Sequence, residues 1–276
     1  MFKLLQTFRI VYETRNFSQS AEILFLSQPS VSHQIKQLEN ELGITLFQRN
    51  GRQEIVATKQ ADILYQHVLN LLEDWQQTVS ELNHEINQQE LCRIVASHTF
   101  SNYCLPKLMK QLVEKFPEIS FEIEMQNSLE VLEKVAEHKA DIGFMEKPLT
   151  TEGIKRYSIL KDQLVLAGKK SANLWLVREE TSGVFYYTKR YFNEHNLTVP
   201  TMEIKNNEII VAMLAEGIGR SILSKRAVPE NVDYEELSPS YQRDFYFIQR
   251  NHLTSIKMNQ VTRFILDYYE GEEINN

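Results

Sequence analysis

Val31, Ile35, Leu38 and Leu42 recur at i, i+4, i+7 and i+11. At about 100° per residue they fall in one narrow arc, which demands an amphipathic helix with a single buried stripe. Both ends of that helix are marked. Ser27 can accept from free N–H groups at the start, Pro29 sits in the first turn where its missing N–H is harmless, and Gly43 can take the left-handed conformation that ends a helix. The spacing therefore predicts a helix close to Gln28–Leu42. Opposite the stripe lie Pro29, His33, Lys36 and Asn40, with Ser32 and Gln37 on the flanks, so the outward face begins with short hydrogen-bonding side chains and becomes charged only later. Upstream, NFSQSAEILFL reads as a second short helix, with Ser18 as its N-cap and the small Ala21 where another helix can cross closely. Two helices joined by a tight turn make a helix-turn-helix, which lays the start of its second helix against base edges in the major groove. The plainer reading is a solvated face in an ordinary helical domain.

The residues after Gly43 favour the helix-turn-helix. Leu46 and Phe47 can close a small core, and Asn50-Gly51 is a hairpin signal between two short extended segments, with Arg49 and Arg52 beside it. A basic hairpin directly after such a helix pair is a wing whose arginines can reach phosphates or a minor groove. The formal net charge of −7 does not exclude this, because residues 1–60 hold seven Lys and Arg against five Glu, a net +2 that leaves −9 on the rest.

The block NFSQSAEILFLSQPSVSHQIKQLENELGITLFQR resembles the N-terminal signature of the LysR-type transcriptional regulators. Ala21-Glu22, Ser27-Gln28-Pro29-Ser30, Ser32, Leu38-Glu39, Leu42-Gly43 and Leu46-Phe47-x-Arg49 all stand in family order. The resemblance implies a winged helix-turn-helix, a long dimerising helix and a two-lobed effector domain similar to periplasmic binding proteins. It implies a homodimer or homotetramer on double-stranded promoter DNA, with RNA polymerase as a further contact. The expected DNA-facing set is Ser27, Gln28, Pro29, Ser30, Ser32, His33, Lys36, Arg49 and Arg52. One departure lies just beyond the wing: the family's Leu-Thr-x-x-Gly stretch is Ala57-Thr58-Lys59-Gln60-Ala61 here, so Thr58 keeps a capping role while Ala61 replaces glycine.

Thr58 to Gln89 contains neither Pro nor Gly, and Leu64, Val68, Leu71, Trp75 and Leu82 recur near the heptad period. That pattern predicts a long helix whose seam meets a second subunit, or else the chain's own body. Beyond it, RIVAS, SFEIEMQ, ADIGFM, QLVLAG, NLWLV, TMEIKN, GRSILS and DFYFIQR alternate with helical stretches. The fold class is thus α/β behind a mostly helical head, with largely parallel sheets in two lobes. The expected domains are 1–57 (head), 58–90 (linker helix) and 91–276 (effector domain). By resemblance, lobe one holds 91–162 and 241–276, and lobe two holds 163–240.

Ligands of such sheets lie at strand carboxyl ends and in the crevice between lobes. Ser97, His98 and Thr99 end one strand, Asn127 and Ser128 end the next, and Thr181, Ser182 and Gly183 precede a helix in lobe two. They resemble the family's effector contacts; their plainer role is helix capping. Lobe two is short around Lys169–Leu174, and no arginine directly follows Gly183. The expected ligand is a small polar metabolite acting as co-inducer, with no cofactor and no metal.

Seven scattered histidines, with no HExxH, no GxSxG, no phosphate-binding loop and no acid cluster at metal-ligand spacing, give no equipment for catalysis, so no enzyme is expected. Cys92 and Cys104 form neither a disulfide framework nor a metal cluster, and the N-terminal stretch lacks a signal-peptide pattern. With no apolar run near the roughly 18 residues that span a bilayer, the expectation is a cytoplasmic protein with no membrane association. The competing class is a cytoplasmic solute-binding or ligand-processing α/β protein whose N-terminal helices serve assembly.

Overall fold

The computed structural model describes residues 1–50, 54–82, 90–251 and 255–274. The chain divides into two units, Met1–Asn87 and Gln88–Asn276. The first begins with helices α1 (Phe2–Thr14), α2 (Phe17–Ile23) and α3 (Gln28–Leu42), continues through strands β1 (Phe47–Asn50) and β2 (Glu54–Ala57), and ends with helix α4 (Lys59–Leu82). Val31, Ile35 and Leu38 of α3 pack with Phe8 and Val11 of α1, Ala21 of α2, Leu46 and Phe47, and Val68 and Leu72 of α4 in one core. Leu42 belongs to the sequence stripe but is 40% exposed, because the last turn of α3 runs past the end of this core.

Local chemistry sets the helix ends. Ser27 Oγ accepts the Ser30 N–H at the start of α3, and Gly43 ends it at φ +67°. For α2 the cap is Asn16 rather than Ser18: the Asn16 amide oxygen accepts from both Ser18 and Gln19 N–H, which leaves Ser18 inside the first turn. Thr58 Oγ1 accepts the Ala61 N–H and donates to the Thr45 carbonyl, tying α4 to the strand approach. Ala61 is fully buried, so the methyl that replaces the family's glycine fills core space. Asn50 pairs with Glu54 and is therefore a strand residue, not a turn residue; Gly51 and Arg52 lie outside the described residues.

The second unit begins with strand β3 (Glu90–Ser97), helices α5 (His98–Tyr103) and α6 (Leu105–Lys115), strand β4 (Ile119–Gln126), helix α7 (Ser128–Ala136), strand β5 (Ile142–Met145) and the long strand β6 (Ile154–Gly168). Next come β7 (Trp175–Val177), α8 (Phe185–Glu194), β8 (Thr201–Glu203), α9 (Asn207–Ala215), β9 (Arg220–Ser224) and β10 (Tyr234–Glu236). Strand β11 (Gln242–Arg250) and helix α10 (Ile256–Ile274) complete the unit. The sheet order is β4-β3-β5-β11-β6-β9-β7-β8, with β10 also paired to β6. β3 runs parallel to β4 and β5, and β7 parallel to β8, whereas β11 and β6 are antiparallel to each other and to their other neighbours.

β6 and β11 make this one hydrogen-bonded path. The first part of β6 pairs with β11 and its second part with β9, so a single strand serves both lobes. Strand alternation sends side chains to both faces. Cys92, Ile94 and Ala96 of β3 enter a core with α5, α6 and α10, while Val95 joins Val131 and Val135 of α7. In lobe two, Leu164, Leu166 and Ile222 pack with α8, and Ala167 and Leu223 pack with Ile210 and Leu214 of α9. Both cysteines are buried and unbridged. Burial, followed by the nearby Asp141 and Glu90, pushes the Cys92 thiol well above its ordinary pKa, which suits a packing role over a reactive thiolate.

One residue in the tight turn between α2 and α3 violates local preference. Phe25 holds φ +53°, a conformation that costs a side chain of this kind about 1–2 kcal/mol, while 95% of its surface is exposed. Asn tolerates that conformation better, so Phe25→Asn should raise the thermal stability of the head by about 1 kcal/mol. Thermal unfolding followed by circular dichroism checks this; an unchanged or lower midpoint would contradict it.

Candidate functional site

On the head, the outward side of α3 is a solvent-facing polar surface. Ser27, Gln28, Pro29, His33 and Lys36 are exposed, and Ser30 and Ser32 are half-buried beside them. Further along, His33, Lys36, Gln37, Asn40 and Glu41 line a shallow groove of about 380 Å³. Arg49 lies on β1, and Arg52 is outside the described residues.

The expected seam of α4 divides. Val68 is wholly buried in the head's own core, so its face is already occupied and offers a partner nothing. Leu64 is half-buried against that core, and Trp75 stacks on Phe2 with ring centroids 4.6 Å apart while remaining 45% exposed. Leu71 and Leu82 are 49% and 73% exposed. Heptad spacing alone could not separate the two sets, because one helix carries an inner and an outer apolar stripe side by side.

In the second unit, Ser97, His98, Thr99, Asn127, Ser128, Ser182 and Gly183 come together around one cavity between the lobes. Thr181 is the exception: it lines an outer vestibule, and its carbonyl accepts from Lys147 Nζ at 2.7 Å. The capping role is real for Asn127, whose side chain closes a capping box with Glu130 at the start of α7. Ser97 is the N-cap of α5 by position, yet its hydroxyl makes no capping hydrogen bond.

Sequence reasoning missed the charged lining: Glu146, Arg178 and Arg243, together with Asn207 and Ser224. Arg243 and Asp162 sit opposite each other on β11 and β6. Arg243 Nε donates to Asp162 Oδ2 at 2.8 Å, its Nη2 donates to Thr99 Oγ1 at 3.2 Å, and Glu146 lies 3.9 Å away. Ser224 donates to the second oxygen of Asp162. Burial alone would lower the Arg243 pKa, but Asp162 and then Glu146 outweigh it and hold the guanidinium above its ordinary value. Arg178 is engaged twice by Glu179, at 2.8 Å each. Burial, and next Arg178, lower the His98 pKa, so this imidazole is neutral near pH 7.

The head has the geometry of a winged helix-turn-helix and the body that of a two-lobed ligand-binding domain; the family models match in the same order. Residues 2–62 fit the bacterial regulatory helix-turn-helix protein of the lysR family, and residues 87–269 the LysR substrate binding domain. The chain is a LysR-type transcriptional regulator. It is 30% identical over 262 residues to the HTH-type transcriptional regulator CysL of Bacillus subtilis (strain 168), covering 88% of this chain and 87% of that one. Among solved structures it is similar to a single-site variant of full-length OxyR from Pseudomonas aeruginosa, with a TM-score of 0.66 at 20% identity over 97% of this chain and 93% of that one. Full-length CbnR complexed with its target DNA gives a TM-score of 0.60 at 16% identity, over 98% and 99% of the two chains. At these identities the solved structures speak to fold alone.

Within this LysR-type regulator, the signature pair Leu38-Glu39 has a clear mechanical role. Leu38 is fully buried, and Glu39 Oε1 accepts the backbone N–H of both Leu46 (2.7 Å) and Phe47 (3.2 Å), fastening the end of α3 to the first wing strand. In the regulator's body the corresponding fastening is Arg243 to Asp162. Asp162→Ala should leave a buried guanidinium with the Thr99 hydrogen bond and the looser Glu146 contact, and cost about 3–5 kcal/mol, whereas Ser224→Ala should cost about 1 kcal/mol. Denaturant unfolding of the two variants checks the ranking, and equal small losses would show that the pair does not hold the lobes.

Proposed function

We propose that this LysR-type regulator binds paired promoter half-sites through two copies of α3 and its wing, and changes transcription when a small polar metabolite enters the cavity between the lobes. The observation that carries the reading is the exposed N-terminal face of α3, rigidly capped at Ser27 and backed by the buried Val31, Ile35 and Leu38. In this assignment Gln28, Ser32 and His33 touch base edges, with Ser27, Pro29 and Ser30 fitting the helix start to the groove. Lys36, Arg49 and Arg52 hold phosphate. CbnR, similar in fold, has been solved with its target DNA. The regulator works in the cytoplasm without catalytic turnover and without a cofactor, and RNA polymerase is its further contact at the promoter. No helix among the described residues is long and apolar enough to cross a membrane.

Base-reading and phosphate-holding residues leave different signatures. Gln28→Ala should relax preference at particular base pairs by about 1–3 kcal/mol, whereas Lys36→Ala should weaken all related sequences evenly and reduce the salt dependence by about one phosphate contact. Selection of bound sequences from a random library, repeated across salt concentrations, tests both, and identical profiles for the two variants would contradict the assignment.

Assembly as a homodimer, or a pair of dimers, rests on the outer stripe of α4. Leu71, Trp75 and Leu82 fall within about 40° of one another on a helical projection and remain exposed after the head's own core is complete. Leu71→Asp together with Leu82→Asp should shift the protein to a folded monomer in sedimentation and weaken binding to paired sites. Val68→Asp should instead unfold the head, because its charge would enter a closed core. A double variant that stays dimeric would place the seam elsewhere.

A further inference from the structure

The interlobe cavity is lined by charged as well as polar side chains. Four ionisable side chains buried at it or directly behind it are Arg178, Arg243, Glu146 and Asp162. They sum to zero. Neither guanidinium offers uncompensated charge: Arg178 is held in a two-point pair by Glu179, and Arg243 by Asp162. Asp162 is saturated in turn, accepting from Arg243 and Ser224 with Arg226 3.7 Å away. Glu146 is different. Its Oε2 accepts one hydrogen bond from the Ser128 hydroxyl at 3.2 Å, and its Oε1 has only the 3.9 Å approach of Arg243.

Around the same cavity are polar atoms that meet no partner among the described residues. Ser97 Oγ, Ser182 Oγ and Asn207 Nδ2 are all on side chains more than nine-tenths buried, and all three residues line the cavity. Buried donors of this kind cost stability unless something accepts from them. Gly183 keeps the approach open, since a Cβ there would stand 3.3 Å from Glu146 Oε2 and 3.2 Å from Arg243 Nη1. Outside, the vestibule of about 530 Å³ shares His98 and Asn127 with the inner cavity and is lined by Glu130, Glu179, Glu180 and Glu203 against Lys205. Lys147, close by, donates to the Thr181 carbonyl.

Electrostatics then sorts the ligands. An anion would be repelled by the vestibule and would meet Glu146 beside arginines already neutralised. A cation alone would satisfy Glu146 but leave the donors of Ser97, Ser182 and Asn207 unmet. A molecule carrying both an ammonium and an acceptor group gives Glu146 a counter-charge and the three unmet polar atoms an acceptor. We propose that the cavity takes a small zwitterion of the α-amino-acid type, its ammonium on Glu146, its carboxylate on Ser97, Ser182 and Asn207, and its side chain toward the vestibule. The free space of the inner cavity is about 20 Å³, enough for a water molecule, so the ligand enters as the lobes part. The proposal rests on reading this cavity as the effector site.

The test uses the full-length protein with the twenty proteinogenic α-amino acids as probes, against sulfate, phosphate, succinate and glycerol, followed by thermal shift and titration calorimetry. At least one amino acid should bind saturably. Its N-acetylated and decarboxylated forms should each bind about tenfold more weakly or worse, as expected for loss of a charge-assisted contact. Glu146→Gln should weaken the amino acid similarly and improve sulfate binding; should that variant fail to fold, the comparison of free and N-acetylated ligand on the unaltered protein decides. Binding of sulfate, phosphate or succinate alone, abolished by Gly183→Ala, would keep the cavity as the effector site and overturn the charge assignment, as would the absence of binding by every amino acid. Amino-acid binding indifferent to both Gly183→Ala and Ser182→Ala would place the ligand elsewhere and overturn the cavity reading itself.

Discussion

Arg243 and Asp162 meet on the two strands that both lobes share, and the body of the protein is organised around the need to keep that pair dry and satisfied. Its partners come from separate parts of the chain: Thr99 from α5, Glu146 after β5 and Ser224 at the end of β9. A charge buried this deeply is tolerated only while its hydrogen bonds are complete. The pair therefore penalises any rearrangement that would separate β6 from β11, while leaving Ser97, Ser182 and Asn207 with capacity to spare. The satisfied charges sit within the strands and the unfulfilled polarity at the ends of elements, Ser97 closing β3, Ser182 ahead of α8 and Asn207 opening α9, which is the division of labour a ligand-responsive crevice requires.

The head solves a different problem with similar means. Its recognition helix has to present polar side chains to solvent without rotating, and the buried stripe from Val31 to Leu38 fixes the rotation. Glu39 fixes the wing relative to the helix end by accepting from two successive backbone amides. A winged helix-turn-helix keeps its register only when helix and wing hold a constant offset, and this carboxylate supplies that fastening.

Much of this is legible in the residues. The 3.6-residue stripe, the serine, proline and glycine at the ends of α3, and the run of hydroxyls at strand ends are local signals, and local signals survive folding. The cap at Asn16, the outward position of Leu42 and the burial of Val68 depend on where the core ends, which no window of sequence contains. Arg243 and Asp162 do carry a signal that sequence reasoning passed over: each is a charge in the apolar phase of a strand, Arg243 in line with Phe245 and Phe247, and Asp162 with Leu164 and Leu166. A charge in such a position needs a partner from a neighbouring strand. The identity of that partner requires the register, and the register is a property of the folded sheet.

Burial of the cavity's charges sets the second unit apart from the head in its response to salt. Contacts between an exposed basic surface and phosphate are governed by displaced counterions and weaken steeply as salt rises. Charges enclosed between the lobes, already balanced against one another, are little screened by ions that cannot reach them. A rise in ionic strength therefore acts more strongly on the contact that a regulator of this family makes with DNA than on the charge balance inside the cavity.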